Sequence, residues 1–397
     1  MAAMVSVAEG RAQIRAALTP LASERVALAE AVGRVLAAPL RARMSQPPFD
    51  ASAMDGYAVR FGDLEAHDRL RIVGASAAGE RFAGSLREGE AVRILTGAPM
   101  PNGADHVVIQ EETAREGDTL LILTPQTRQG NVRCAGLDFK HDAILLDKGA
   151  HLGGPQLALA AAADIADIEV VRRPRVALIA NGDELVMPGA PRTEDQVVCS
   201  IPFALAPMIN GWGGDAALLG IAADDRASIK SLARRARDFD LIVPIGGASV
   251  GDRDFVRAAF SELGFAPVFE KVAMKPGKPT WFATGDGAAI VGLPGNPASA
   301  IVSSILFART AIDALLGRTP DEFKAARLTT KLAGAGPREN YLRAKMHVDA
   351  SGQRLVAPLH DQDSSLLSVI AAADALIQRP PESPELNAGD TVHCVEF

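Results

Sequence analysis

Aromatic residues are scarce: 2 Trp, 2 Tyr and 14 Phe make up 5% of a 397-residue chain. Packing must therefore rest on Ala, Val, Leu and Ile. Cysteine is scarcer still. Cys134, Cys199 and Cys394 stand far apart with no CxxC pair, which argues against a zinc ribbon, a thioredoxin-like redox pair and a disulfide scaffold, and fits a reducing compartment. An excess of positive charge is lacking as well. Forty-one Lys and Arg against 48 Asp and Glu leave a net charge of −7, the wrong sign for a surface that grips phosphate backbones, so no nucleic-acid partner is expected. Residues 1–10 hold no basic stretch leading into an apolar one, and the apolar run at 156–163 stops at Asp164 and Asp167, short of a bilayer span. The expectation is a soluble, cytoplasmic protein with no membrane partner. Motifs are missing too: there is no GxxxxGK[ST], no GxGxxG after a strand, no HExxH, no GxSxG and no kinase set, which disfavours P-loop and NAD chemistry.

What is present is a chain of two to four domains' length whose grammar changes along its course. Apolar residues at Ile14, Leu18, Val26, Leu28, Val32, Val35 and Leu36 recur at helical spacing and predict a helical lead-in over 7–40, broken at Thr19 and Pro20. Short β-type runs at 70–73, 91–95, 107–109 and 120–123, separated by Gly, Pro and Asn, predict a small β-rich domain. A second helical stretch at 150–166 predicts that the β domain is inserted into one discontinuous helical unit. From Arg175 strands and helices alternate as far as a long helix at 298–316, the pattern of a mostly parallel sheet with helices on both faces, whose ligands bind beyond the strands' carboxyl ends. Short strands at 341–348, 375–378 and 391–395 predict a C-terminal β domain.

Two loops follow buried strands of the alternating region directly. NGDEL at 181–185 and GGASVGDRD at 246–254 place glycines where backbone N–H groups can close on an anion, and place Asp183, Glu184, Asp252 and Asp254 where oxygen ligands can hold Mg²⁺. The same residues equally suit plain helix caps and turns. KPGKP at 275–279 sets Lys275 and Lys278 three residues apart on a segment stiffened by two prolines, an arrangement suited to an oxyanion. GLPGNP at 292–297 opens the long helix with Asn296 as the expected cap and Pro297 at the first helical position, leaving N–H donors free. Pro294 and Gly295 add a further strand-terminal turn. Together these loops look like a site for a phosphorylated ligand and an oxyanion. In the β-rich part, PPFDASAMDGYA at 47–58 and TGAPMPNGAD at 96–105 are turn-rich loops, and Tyr57 suits core and site equally.

In this order and spacing the six motifs resemble those of the molybdopterin molybdenumtransferase family, the MoeA proteins and the E domain of gephyrin, over nearly the whole chain. The resemblance implies an α/β multidomain fold: a discontinuous domain at 1–45 and 138–170, an inserted β-rich domain at 46–137, a doubly wound domain like the molybdopterin adenylyltransferases at 171–322, and a C-terminal β domain at 323–397. It implies a homodimer with the active site between subunits. The implied reaction inserts molybdate-derived molybdenum into adenylylated molybdopterin, with Mg²⁺-dependent cleavage of the phosphoanhydride and release of AMP and molybdenum cofactor. Implied partners are a molybdopterin adenylyltransferase upstream and molybdoenzyme apoproteins or their chaperones downstream.

Position by position, the resemblance places Asp55 and Thr96 at the partner subunit's cleft and Asp138 at an acidic position on the return from the inserted domain. It places Glu184 and Asp254 at the cation and anhydride. Gly246, Gly247, Ser249, Gly251, Lys275, Lys278, Pro294, Asn296, Pro297 and Ser299 then line the oxyanion and pterin-phosphate region, with Arg343 and Ser368 added from the C-terminal domain. Two departures stand out. Ala51 occupies a position where the family usually has Asn, and Cys199, Ser200 and Ile201 replace an Asp-Ser/Thr-Asn stretch. The alternatives are a non-catalytic cofactor-binding scaffold, against which the intact acids and lysines argue, and an adenylyltransferase, against which the flanking domains argue.

Overall fold

The computed structural model describes residues 4–247, 255–285, 287–318 and 323–397. The chain forms two compact units, Arg25–Val170 and Met1–Glu24 with Val171–Phe397.

In the first of these, strand alternation decides the faces of a six-stranded sheet. Its order is His106–Ile109, Gly56–Val59, Glu90–Ile94, Arg69–Ser76, Thr119–Ile122 and Thr113–Glu116. Successive side chains point to opposite faces. Tyr57 and Val59 accordingly join Leu70, Val108 and Leu120 in one cluster, while Ala58 and Val107 join Ile94 and Met100 in another. Tyr57 is thus a core residue, with the Arg93 guanidinium 5.1 Å from its ring centre. A separate core gathers Leu36, Leu40, Phe139, Leu152 and Ile168 about the helix Gly154–Ala162.

The expected helix over 7–40 is corrected. Only Val7–Ala17 is α-helical, closed at its start by a capping box in which Ser6 and Glu9 bond each other's backbone N–H. Pro20 lacks an N–H and drives Thr19 out of helical geometry. Beyond it the chain runs through the strand Ser23–Ala27 and a 3-10 turn at Leu28–Glu30. The apolar residues at 26–36 that mimic a helical period serve strand and turn positions instead.

In the second unit a six-stranded sheet runs Asp215–Ala222, Arg175–Asn181, Leu241–Ile245, Ala289–Gly292, Trp281–Thr284, Ala266–Phe269. The first four strands are mutually parallel, and Trp281–Thr284 is antiparallel to both of its neighbours. Every residue of Leu241–Ile245 is buried, as expected of a strand covered on both faces. The helices Ile201–Gly211, Arg226–Arg235 and Phe255–Glu262 cover the sheet, and Ile229, Val256, Phe260, Trp281 and Ile290 share one core.

The long helix Pro297–Leu316 contains a π-helical turn at Ser304–Ala308. It is 20 residues long with a mean hydropathy of 1.6, enough by length and composition to cross a bilayer, yet 89% of its apolar window is buried inside the protein. This helix is a longer apolar segment than the run at 156–163. Beyond it five strands close on themselves. Lys324–Leu328, Arg354–Pro358, Glu339–Val348, Ala375–Arg379 and Thr391–Glu396 pair in a complete ring, and Met274–Lys275 adds a parallel pairing to Glu339 and Asn340. Closure removes the exposed edges of this small sheet.

The strand pair Trp281–Thr284 and Ala289–Gly292 depends on a glycine. Trp281 stands opposite Gly292 in the ladder, and a Cβ there would overlap the indole. Gly292→Ala is therefore expected to cost about 1–3 kcal/mol through overpacking. Gly154→Ala, where an added methyl would meet nothing within 4 Å, is expected to be neutral or mildly stabilising. Chemical denaturation of the two variants checks the contrast; equal midpoints would contradict it.

Candidate active site

The parallel registers bring four loops to one edge of the sheet. Asn181 lies opposite Ala222, Ala180 lies opposite Ile245, and Ile245 bridges Leu293. The chain segments 181–185, 223–225, 246–247 and 294–297 therefore all leave from the strands' carboxyl ends, where a doubly wound sheet places its ligands. Gly246 and Gly247 have φ of 89° and 68°, the left-handed region open to glycine. They also approach Asn181 closely. A Cβ on Gly246 would stand 2.8 Å from the Asn181 carbonyl oxygen, and one on Gly247 would stand 2.7 Å from Asn181 Nδ2.

Two cavities share this edge. One, about 500 Å³, is lined by the starts of two helices, at Ser200, Ile201 and Pro202 and at Asn296 and Pro297, with Ser365 and Leu367 of the C-terminal part forming another wall. Pro202 and Pro297 have no N–H, and the Phe203 and Ala298 N–H groups are taken by the Ser200 and Ser364 carbonyls. These helix starts therefore offer an anion chiefly the positive end of the macrodipole and the first-turn N–H groups that remain, those of Ile201 and Ser299. Cys199 also lines it; burial raises its thiol pKa, which favours the neutral thiol. The other cavity, about 580 Å³, is lined by Asp183, Glu184, Asp224, Gly246 and Gly247. Asn181, Glu184 and Gly295 border both.

Hydrogen bonds order the acidic cavity. Asn181 Nδ2 donates to Asp224 Oδ1 at 2.9 Å, and the Asp224 N–H donates to Asp183 Oδ1 at 3.0 Å. Glu184 folds over Gly182, where any side chain would overlap its carboxylate. Among the described residues no three His, Cys, Asp or Glu side chains converge as a metal cluster.

The other expected residues are placed as follows. Asn296 precedes the helix, but its side chain caps nothing in the first turn and donates instead to Ser364 Oγ at 2.9 Å. The Ala298 N–H is taken by the Ser364 carbonyl at 3.0 Å. Ser299 is buried in the first turn, and Pro294 lies in the loop before it. Lys275 and Lys278 are exposed and line neither cavity. Their segment is tied to the long helix through Thr280, whose hydroxyl bonds the Gly277 carbonyl and Ser303 Oγ. Arg343 is 1% exposed, and burial pulls its guanidinium below the usual value. It donates to the Asp363 carbonyl at 3.0 Å while Gln362 bonds its backbone on both sides, so it braces the loop that carries Ser364 and Ser365. Ser368 is exposed on the short helix Leu367–Ala372. Ser249, Gly251, Asp252 and Asp254 lie outside the described residues.

In the unit Arg25–Val170, Asp55 and Thr96 meet: Asp55 Oδ1 accepts from the Thr96 N–H and hydroxyl, each at 2.7 Å. These bonds, the backbone one first, hold the Asp55 carboxyl below its ordinary pKa. Asp138 is exposed, its N–H bonded to the Gln46 carbonyl. Ala51 is buried in the two-residue strand Ala51–Ser52, and the loop is braced by Asp50, which accepts from the Ala135 N–H at 2.8 Å, and by Ser52, bonded to the Met54 backbone. Sequence reading missed Asp224. Next to it Asp225 caps the helix Arg226–Arg235, and an Asp-Asp pair before a helix reads as a cap.

Comparison with known proteins agrees with this layout. The MoeA N-terminal region (domains I and II) matches residues 5–163, a probable molybdopterin binding domain matches 177–314, and the MoeA C-terminal region (domain IV) matches 325–397. The chain is 33% identical over 384 residues to the molybdopterin molybdenumtransferase of Haemophilus influenzae, covering 95% of each, and 35% identical over 338 residues to that of Nostoc sp., covering 82% of this chain and 78% of the relative. The crystal structure of a molybdopterin biosynthesis MoeA protein from Pyrococcus horikosii superposes with a TM-score of 0.86 at 31% identity, over 100% of this chain and 99% of that one. At such identity over so much of its length, the chain belongs to the molybdopterin molybdenumtransferase family, the MoeA proteins.

Proposed function

We propose that this protein acts in molybdenum cofactor biosynthesis, placing molybdate-derived molybdenum on adenylylated molybdopterin, cleaving the phosphoanhydride with the help of Mg²⁺ and releasing AMP and the cofactor. The observation that supports this reading best is the joining of an anion-favouring cavity to an acidic one through Asn181, Glu184 and Gly295. A phosphoanhydride needs both: N–H donors for its phosphoryl oxygens and carboxylates to hold the cation that offsets its charge.

In this reading the helix starts at Ile201 and Pro297 receive phosphoryl oxygens, and Lys275 and Lys278 attract molybdate, a dianionic substrate. Asp183, Glu184 and Asp224 offer the hard oxygen donors that suit Mg²⁺, which commonly binds through one or two carboxylates and keeps several waters. Glu184 would hold it, with Asp254, which lies outside the described residues, as the second expected ligand. When bound, the ion supplies Lewis acidity at the bridging oxygen. Arg343 acts at one remove, holding the loop whose Ser364 positions Asn296 and Ala298. The Asp55 and Thr96 pair, with Asp138, serves the partner subunit's cleft in a homodimer. The reading also includes a cytoplasmic setting, the four-part organisation expected above, supply by a molybdopterin adenylyltransferase, and delivery to apo-molybdoenzymes or their chaperones.

Molybdate-dependent AMP release coupled to reconstitution of an apo-molybdoenzyme tests the activity; tight substrate binding with no AMP would favour a scaffold instead. Glu184→Gln is expected to lower AMP release by about 10²-fold with an unchanged thermal midpoint, and a normal rate would remove Glu184 from the chemistry. For Lys275→Ala combined with Lys278→Ala, the molybdate concentration giving half-maximal rate is expected to rise, and an unchanged value would remove the lysines from the site. Thr96→Val deletes one of the two donors that hold the Asp55 carboxyl below its ordinary pKa. The Asp55 pKa then rises, so the acid limb of the kcat/KM profile is expected to move to higher pH; an unmoved limb would show that Asp55 does not govern it.

A further inference from the structure

Asn181 ends the strand Arg175–Asn181 at the seam between the two cavities and is 6% exposed. Its amide is held by one end only. Nδ2 donates to Asp224 Oδ1 at 2.9 Å, whereas Oδ1 is buried with no hydrogen-bond partner among the described residues. Turning the amide over would put its oxygen against the Asp224 carboxylate, acceptor against acceptor. The orientation is therefore fixed. Besides Asn181 itself, the polar side chains that line the acidic cavity among the described residues are Asp183, Glu184 and Asp224, and ionised carboxylates accept hydrogen bonds but donate none. Phosphate and molybdate oxygens are acceptors as well. The partner that this oxygen lacks must bring its own proton.

We propose that Asn181 is a specificity-determining residue whose Oδ1 accepts a hydrogen bond from an O–H group of the bound nucleotide and cation, either a ribose hydroxyl or a water on the divalent ion. The inference rests on the reading of the site given under Proposed function. Asn181 would partition the seam: acceptor-rich anions are turned toward the helix starts at Ile201 and Pro297, and O–H donors are drawn toward the acidic side. A leucine of similar volume loses this preference. A serine leaves room for water, and so keeps the test available if the leucine variant does not fold.

Titration calorimetry on the full chain separates the two sources, with AMP and 2′,3′-dideoxy-AMP measured in chelator, and with Mn²⁺ measured without nucleotide. If the donor is a ribose hydroxyl, Asn181→Leu weakens AMP binding about tenfold, the dideoxy nucleotide binds wild type and variant alike, and Mn²⁺ affinity holds. If the donor is metal-bound water, Mn²⁺ affinity falls about tenfold and AMP binding in chelator holds. Either pattern, shown in weaker form by Asn181→Ser, supports the proposal. Unchanged affinities for both probes in a folded variant overturn it and leave the functional reading intact. A wild-type protein that binds neither probe overturns the functional reading itself, and this inference with it.

Discussion

The parallel pairing of Arg175–Asn181 with its two neighbours is the constraint on which the site depends. Because Asn181 is in register with Ala222, and Ala180 with Ile245, the loops that follow these strands emerge side by side. The bridge from Ile245 to Leu293 adds the start of the long helix to the same edge. A one-residue slip in any of these pairings would exchange inward and outward faces and scatter the loops. The register is pinned by burial, since Val176, Ala177, Leu178, Leu241, Ile242 and Val243 are all fully enclosed. Gly246 and Gly247 then allow the backbone to close on Asn181 at distances that no other residue permits.

From that edge follows a separation of charge preference over a short span. Two helix starts turn the positive ends of their dipoles toward one cavity; three carboxylates line its neighbour. Isolated, each feature is ordinary, because helices often begin at a sheet's edge and acids often cap them. Joined through Asn181, Glu184 and Gly295, they suit a ligand that is itself divided between phosphoryl groups and a bound cation. The C-terminal part contributes indirectly: buried Arg343 and Gln362 fix the loop whose Ser364 meets the helix start at Asn296 and Ala298.

Much of this was legible in the amino-acid order. Alternating buried strands and helices from Arg175 announced the sheet, and glycine and acid at the strand ends announced the edge. Other features are invisible to a linear reading because they arise from pairing. Asp224 joins the site only through the register of Asn181 with Ala222, and its neighbour Asp225 gives a complete local reason for the acids as a cap. Asn296 has the spacing of a helix cap, but a serine 68 residues away takes its side chain. Arg343 reads as a ligand cation; in the structure it lies on the strand face opposite Ala344 and the ring's core, enclosed where its guanidinium donates to the Asp363 carbonyl. The false helix beyond Ala17 shows the opposite limit: Ala, Val and Leu at 26–36 satisfy a helical period by chance while the proline at 20 settles the matter.

The central claim is that the helix starts at Ile201 and Pro297 and the carboxylates at 183, 184 and 224 form one continuous site. A crystal structure of the protein with AMP and Mg²⁺ tests it most directly. The account predicts phosphate oxygens at the helix starts and the cation on the Glu184 side of Asn181 in the same complex. Nucleotide bound away from this edge, for example in the cavity between Arg257 and Trp281, would contradict it.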